Sequence, residues 1–136
     1  LVPVKKPYLI KDLKRLSTFY NIPFKMPSDF PISTVLPMRV LSALTKEKIP
    51  QSAQTLFKAY WSENKDISDP EIVSKIIDSD SVERASIQEV KDKLFQTTKE
   101  AVERGTFGAP TFFIGNEMFF GHDRINLIDN HLQGKI

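Results

Sequence analysis

The sequence predicts a mixed α/β fold: a run of helices, then one β-hairpin, then a closing helix. Three observations predict it. Apolar residues recur at helical spacing from Tyr8 to Val102. Thr111 to Ile114 and Glu117 to Phe120 are strand-like runs on either side of Gly115-Asn116, a two-residue hairpin signal. Gly121 breaks the second run just before Asp123, which can cap a last helix reaching Leu132.

Taken in order, Leu1 to Pro7 reads as an irregular lead-in. Tyr8 to Tyr20 fits a helix, because Leu9, Leu13, Leu16 and Tyr20 share one face. Ile22 to Pro31 is too proline-rich for a helix and reads as an extended connection. Ser33 or Thr34 can cap a second helix, with Pro37 tolerated in its first turn and Met38, Leu41 and Leu44 as its apolar stripe. Pro50 opens a third, in which Ala53, Leu56, Phe57, Tyr60 and Trp61 give the clearest amphipathic pattern of the chain.

Asp69 caps a fourth helix with Pro70 at its first position, and Ile72, Val73, Ile76 and Ile77 point inward. Ser79 to Val82 reads as a break. Ser86 and Glu89 form a capping box that starts a long helix through Val90, Leu94, Ala101 and Val102, stopped by Gly105.

At 136 residues with a formal net charge of +2, the chain reads as one domain of ordinary composition, its charges interspersed. No basic tract argues for nucleic acid. No apolar run approaches a membrane span, and the start lacks the apolar core of a signal peptide. There is no cysteine, so these residues hold neither a disulfide framework nor a Cys-x-x-Cys pair. Two distant histidines without cysteine make a metal site unexpected. A two-stranded hairpin is marginal alone, and both strands are apolar on both faces, as in a larger covered sheet. Either partner strands lie in residues outside this sequence, the favoured reading, or the helices alone cover a small ribbon. The start at Leu1 rather than Met fits the first.

Gly105-Thr-Phe-Gly-Ala-Pro-Thr-Phe-Phe-Ile-Gly115, followed by Met118-Phe-Phe-Gly-His-Asp-Arg124, resembles the C-terminal part of 2-hydroxychromene-2-carboxylate isomerases. These are relatives of kappa-class glutathione transferases in the DsbA-like branch of the thioredoxin fold. Lys5-Lys-Pro-Tyr-Leu-Ile-Lys-Asp12-Leu13, Pro23-Phe24 with Pro27, Phe30-Pro31 with Met38-Arg39, and Tyr60-Trp61 with Asp66 to Pro70 resemble further family blocks in family order. The resemblance implies β-α-β, a helical insertion, then β-β-α. Residues 1–136 then form a single partial domain: about 8–104 mainly insertion, about 105–136 the terminal β-β-α. The first β-α-β unit, with the family's catalytic serine, is expected upstream of Leu1, so no catalytic residue is assigned here. Ser79 to Ile87 is shorter than the family pattern.

The resemblance also implies the site. Pro110 is expected cis, so that Ala109 presents its backbone to the cysteinyl part of glutathione as a short strand would. A helix N-terminus and Asp123 suit the carboxylate and ammonium of the γ-glutamyl end. Arg124 contacts the ligand or braces Asp123, and His122 supplies backbone contact. Lys5, or Lys6 if the register slips by one, meets the glycyl carboxylate, and Asp12 is presented across a dimer interface. Met38, Phe57, Tyr60 and Trp61 read as core of the insertion, some of them lining the aromatic substrate pocket. His131 reads as a surface residue complementing a helix dipole. The implied function is glutathione-dependent isomerisation of a small aromatic substrate by reversible thiolate addition, in a cytoplasmic homodimer, or a mitochondrial one in a eukaryote. Alternatives are a kappa-class transferase, a DsbA-like thiol–disulfide oxidoreductase and a non-catalytic glutathione- or peptide-binding fragment.

Overall fold

The computed structural model describes residues 4–136. In chain order they form α1 (Lys5–Phe19), α2 (Val35–Ala43), α3 (Ile49–Trp61), α4 (Pro70–Ile76), α5 (Ser79–Arg84), α6 (Gln88–Glu103), β1 (Thr111–Ile114), β2 (Glu117–Phe120), a 3₁₀ turn (His122–Arg124) and α7 (Ile125–Leu132). They divide into two compact units, Leu1–Leu94 and Phe95–Ile136, with the division inside α6.

In the first unit the core is helical. Val40, Leu56, Ala59, Tyr60, Ile67, Val73 and Ala85 are buried together, with Ile32, Leu36, Ile76 and Val82 packed around them. α4 starts as expected: the Asp69 carboxylate accepts from the Glu71 N–H at 2.8 Å, and Pro70 sits where a missing N–H costs nothing. α3 is the amphipathic helix its spacing predicts, but it buries Leu56, Ala59 and Tyr60 and leaves Phe57 exposed.

Several expectations change. Leu1 to Pro3 lie outside the described residues, but Lys5, Lys6 and Pro7 are the first turn of α1 rather than a lead-in. Pro7 fits there because the first N–H groups of a helix have no intrahelical partner. α1 ends in a Schellman motif: Ile22 N–H donates to Ser17 O at 2.8 Å, Asn21 N–H to Thr18 O at 3.1 Å, and Asn21 takes φ +53°. No side chain of α1 is buried. α2 turns Pro37, Val40 and Ala43 inward, not Met38, and Thr34 occupies the cap position without a side-chain cap bond. The helix is apolar on several sides, so core packing chose among competing faces.

Ser79 to Val82 is no break but most of α5. Asp78 caps it, accepting from Ser81 N–H at 2.6 Å and from Ser81 Oγ at 2.9 Å, and Ser81 is buried. Those hydrogen bonds, the backbone one foremost, hold the Asp78 carboxyl below its usual value. The Ser86–Glu89 capping box does not form: Lys91 N–H donates to the Ile87 carbonyl at 3.2 Å, so the helix opens after Ile87.

The second unit holds the antiparallel hairpin, paired Thr111 with Phe120 through Ile114 with Glu117. Gly115 takes φ +59° at the first turn position, as such loops require. Arg104, just past α6, braces this ribbon. Its guanidinium lies 3.8 Å from the centre of the Phe113 ring, and Nη2 donates to Gly115 O at 2.7 Å. α7 buries Ile128, and His131 in its last turn is half-buried, its ring 5.6 Å from that of Phe119, so it packs against the hairpin rather than standing free. No described helix is long and apolar enough to cross a membrane.

Candidate functional site

α6 ends where the sequence places its stop. Thr106 N–H donates to Ala101 O at 3.0 Å and Gly105 N–H to Val102 O at 2.9 Å, with Gly105 at φ +92°. This Schellman cap turns the chain sharply into the loop before β1. In that loop the Ala109–Pro110 bond is cis, as the resemblance implies, and so is Phe30–Pro31 in the other unit. Thr111 Oγ1 donates to Gly108 O at 2.6 Å, and a Cβ on Gly108 would stand 2.8 Å from the Phe120 ring. The loop is therefore folded tightly upon itself. Among the described residues, neither the N–H nor the C=O of Ala109 has a hydrogen-bond partner. The residue is exposed. That leaves one donor and one acceptor open to an extended ligand.

The Pro110 carbonyl accepts from Gly121 N–H at 2.9 Å, which fastens this loop to the end of β2. Gly121 has φ +109° and ψ 146°, a region open in practice only to glycine. A Cβ there would run into the Asp123 carboxylate. Asp123 is not the cap of α7, as expected from the sequence; it lies inside the 3₁₀ turn, and α7 starts two residues later at Ile125. Its carboxylate is exposed and pairs with Arg124 Nη1 at 3.4 Å. Among the described residues the N–H groups of His122 and Asp123 are unpartnered. Ala109, Pro110, His122, Asp123 and Arg124 thus fall in one neighbourhood, held together by the Gly121–Pro110 bond.

Lys5 and Asp12 belong to the first unit. Both lie on α1, seven positions apart and so on one side of the helix, roughly 10 Å along its axis. Lys5 and Lys6 are exposed, and Asp12 is half-buried with Arg15 Nη1 at 3.8 Å. Among the described residues no cluster of three or more His, Asp or Glu side chains could hold a metal ion.

The first unit also contains a cavity of about 330 Å³ between the Phe30–Ile32 segment, α2 and α3. Its far wall is an aromatic group that the sequence did not assemble. Trp61 lies 6.1 Å from Phe24, 5.9 Å from Phe30 and 4.8 Å from Tyr60, ring centre to ring centre. Tyr60 Oη donates to the Asp29 carbonyl at 2.9 Å, and Asn64 exchanges hydrogen bonds with Ser28, so the proline-rich connection is pinned to the end of α3. Burial, joined by the Asp66 and Asp29 charges, pushes the Tyr60 phenol above its usual value. Met38 and Phe57, read as insertion core with some of that set lining a pocket, are not core residues: both are exposed and stand in the cavity wall.

Similarities with known proteins agree with this geometry. Residues 1–133 match the DSBA-like thioredoxin domain. Glutathione S-transferase kappa 1 of Homo sapiens is 30% identical, over 99% of this chain and 69% of that protein. A 2-hydroxychromene-2-carboxylate isomerase of Pseudomonas sp. (strain C18) is 29% identical, over 96% of this chain and 64% of that one. A solved structure of 2-hydroxychromene-2-carboxylate isomerase superposes with a TM-score of 0.81 at 26% identity, covering 96% of this chain and 67% of the other. The chain thus spans about two thirds of the length of these relatives. A cis proline after α6, a hairpin and a closing helix in that order, and a domain match over nearly every residue, make this chain a member of the DSBA-like thioredoxin domain family, related to kappa-class glutathione transferases and 2-hydroxychromene-2-carboxylate isomerases.

Proposed function

We propose that this chain is the glutathione-binding part of a glutathione-dependent enzyme that isomerises a small aromatic compound, with kappa-class transfer of glutathione as the second reading. The observation that carries it is the unpartnered Ala109 backbone, fastened through Pro110 and Gly121 to the exposed Asp123 carboxylate. In this reading the cysteinyl amide of an extended glutathione pairs with Ala109 N–H and C=O. The γ-glutamyl carboxylate accepts from the free N–H groups of His122 and Asp123, while its ammonium faces the Asp123 carboxylate. Arg124 holds that carboxylate in place. A homodimer suits α1, whose Leu9 and Leu13 are exposed.

Bound glutathione supplies a thiol nucleophile. The residues of this chain bind and orient it; the serine that keeps the thiol ionised is proposed to precede Leu1. Calorimetric titration of glutathione into the full chain tests the reading. Asp123→Ala is expected to weaken binding about tenfold, the size of one charge-assisted contact. Unchanged affinity in that variant, or no glutathione binding by the parent chain, would overturn it.

A further inference from the structure

We infer that α1 docks on anionic lipid surfaces, with its leucine stripe at the acyl boundary and its lysines among the headgroups. The inference stands on α1 and is independent of the Ala109 site, so failure of one leaves the other untouched. Five cations, Lys5, Lys6, Lys11, Lys14 and Arg15, lie on this helix against one carboxylate, Asp12. The helix therefore carries a formal +4 in a chain whose formal net charge is +2, and the other residues sum to −2. All of the positive excess sits on one helix. The five cations are exposed, and among the described residues only Arg15 has an ion-pair partner, Asp12 at 3.8 Å. The helix itself gains nothing from Lys5 and Lys6, which stand in its first turn, where positive charge opposes the macrodipole.

The apolar side of the helix completes the pattern. Leu9, Leu13, Leu16 and Tyr20 share one side, and no side chain of α1 is buried. Leu9, Leu13 and Tyr20 are exposed. Lys5 and Lys6 fall on either flank of this stripe, and Lys11, Lys14 and Arg15 on the far side. A basic polar face opposite a leucine stripe is the signature of a helix lying in a membrane interface. α1 is too short and too polar to cross a bilayer, so it lies along the surface. Tyr8 and Tyr20, exposed near its two ends, carry the amphipathic rings that settle at headgroup level. The long lysine stems let the ammonium groups stay among the headgroups while the stripe is covered. A second copy of the chain is the rival occupant, since Leu9 and Leu13 also suit a dimer. One stripe cannot serve both at once. Charge favours lipid: pairing two copies through α1 sets two cationic helices against each other, whereas an anionic surface attracts both.

The full chain is sedimented with vesicles of phosphatidylcholine alone and with vesicles of phosphatidylcholine and phosphatidylserine. Binding to the mixed vesicles is expected to be tighter by about tenfold or more, and to weaken as salt is raised. Lys11→Gln combined with Lys14→Gln removes two cations without touching the stripe and should weaken that binding about fivefold or more. Leu9→Gln combined with Leu13→Gln should weaken it about tenfold or more, at positions exposed enough for folding to tolerate the change. Equal binding to the two vesicle types overturns the inference, and so does binding that survives both double variants. No binding to the mixed vesicles overturns it as well. A chain that is then dimeric in solution, and monomeric as the leucine double variant, uses the stripe for a second copy instead.

Discussion

The Gly121 N–H donates to the Pro110 carbonyl at 2.9 Å, and this one bond joins the loop after α6 to the turn after β2. It sets the open Ala109 backbone and the Asp123 carboxylate in a fixed relation within the second unit. Gly121 can make it only because it lacks a side chain: its φ of +109° disfavours any other residue, and the Asp123 carboxylate fills the space of a Cβ. Gly121→Ala is therefore expected to cost about 1–3 kcal/mol of stability and to weaken glutathione binding. Chemical denaturation and calorimetry on the same variant check both. A variant as stable as the parent would mean that the turn adapts freely.

The Asp78 cap should be visible in the pH dependence of stability. Its pKa is lowered in the folded chain, chiefly by the Ser81 N–H. A depressed carboxyl contributes stability above its unfolded value of about 3.9. That contribution fades as the pH falls through the folded value. Asp78→Asn keeps a good cap without a titrating proton, so its stability relative to the parent should rise on acidification. Asp78→Ala should lose about 1 kcal/mol at neutral pH. Urea midpoints at neutral and acid pH measure both effects; parallel pH curves for the parent and Asp78→Asn would contradict the assignment.

Tyr60→Phe removes the donor to the Asp29 carbonyl and leaves the ring packing in place. The expected loss is about 1 kcal/mol, with weaker anchoring of the proline-rich connection. Hydrogen exchange should quicken at Lys25, whose N–H donates to Trp61 O at 2.7 Å. Unchanged exchange there would mean that other contacts, such as the Asn64–Ser28 pair, hold the segment alone.

Arg104→Ala takes away both the cation over the Phe113 ring and the donor to Gly115 O. A loss of about 1–2 kcal/mol is expected, centred on the hairpin. Arg104→Lys should restore little of it, because an ammonium lacks the flat face that lies on the ring. Full rescue by lysine would reduce the role of Arg104 to its ion pair with Glu100.

The parts of the structure legible in the sequence are those governed by local chemistry. Gly115-Asn116, Asp69-Pro70 and Gly105 each act through backbone geometry within a few residues, and each element edge falls where they place it. α5 escaped because six residues carry no usable period, although Asp78 three before Ser81 was a readable cap. The inward face of α2 escaped because Met38 and Val40 are both apolar and only the core distinguishes them. The start of α1 escaped because Lys5-Lys6-Pro7 looks like a linker while being compatible with a first helical turn. In the site, the cis Pro110 loop and the Gly-x-Asp-Arg turn were legible as motifs. The bond between them was not, since it joins residues on either side of the hairpin, and Asp123 inside a 3₁₀ turn was not, since an aspartate before an apolar run reads equally as a cap.

The central claim is that glutathione lies along the Ala109 backbone. The most direct measurement is the set of amide chemical-shift changes when glutathione is added to the isotopically labelled full chain. The largest changes are expected at Ala109 and at His122 to Arg124, with smaller ones at Gly121, and all of them reduced in Asp123→Ala. Changes confined to other residues, or none at saturating glutathione, would contradict it.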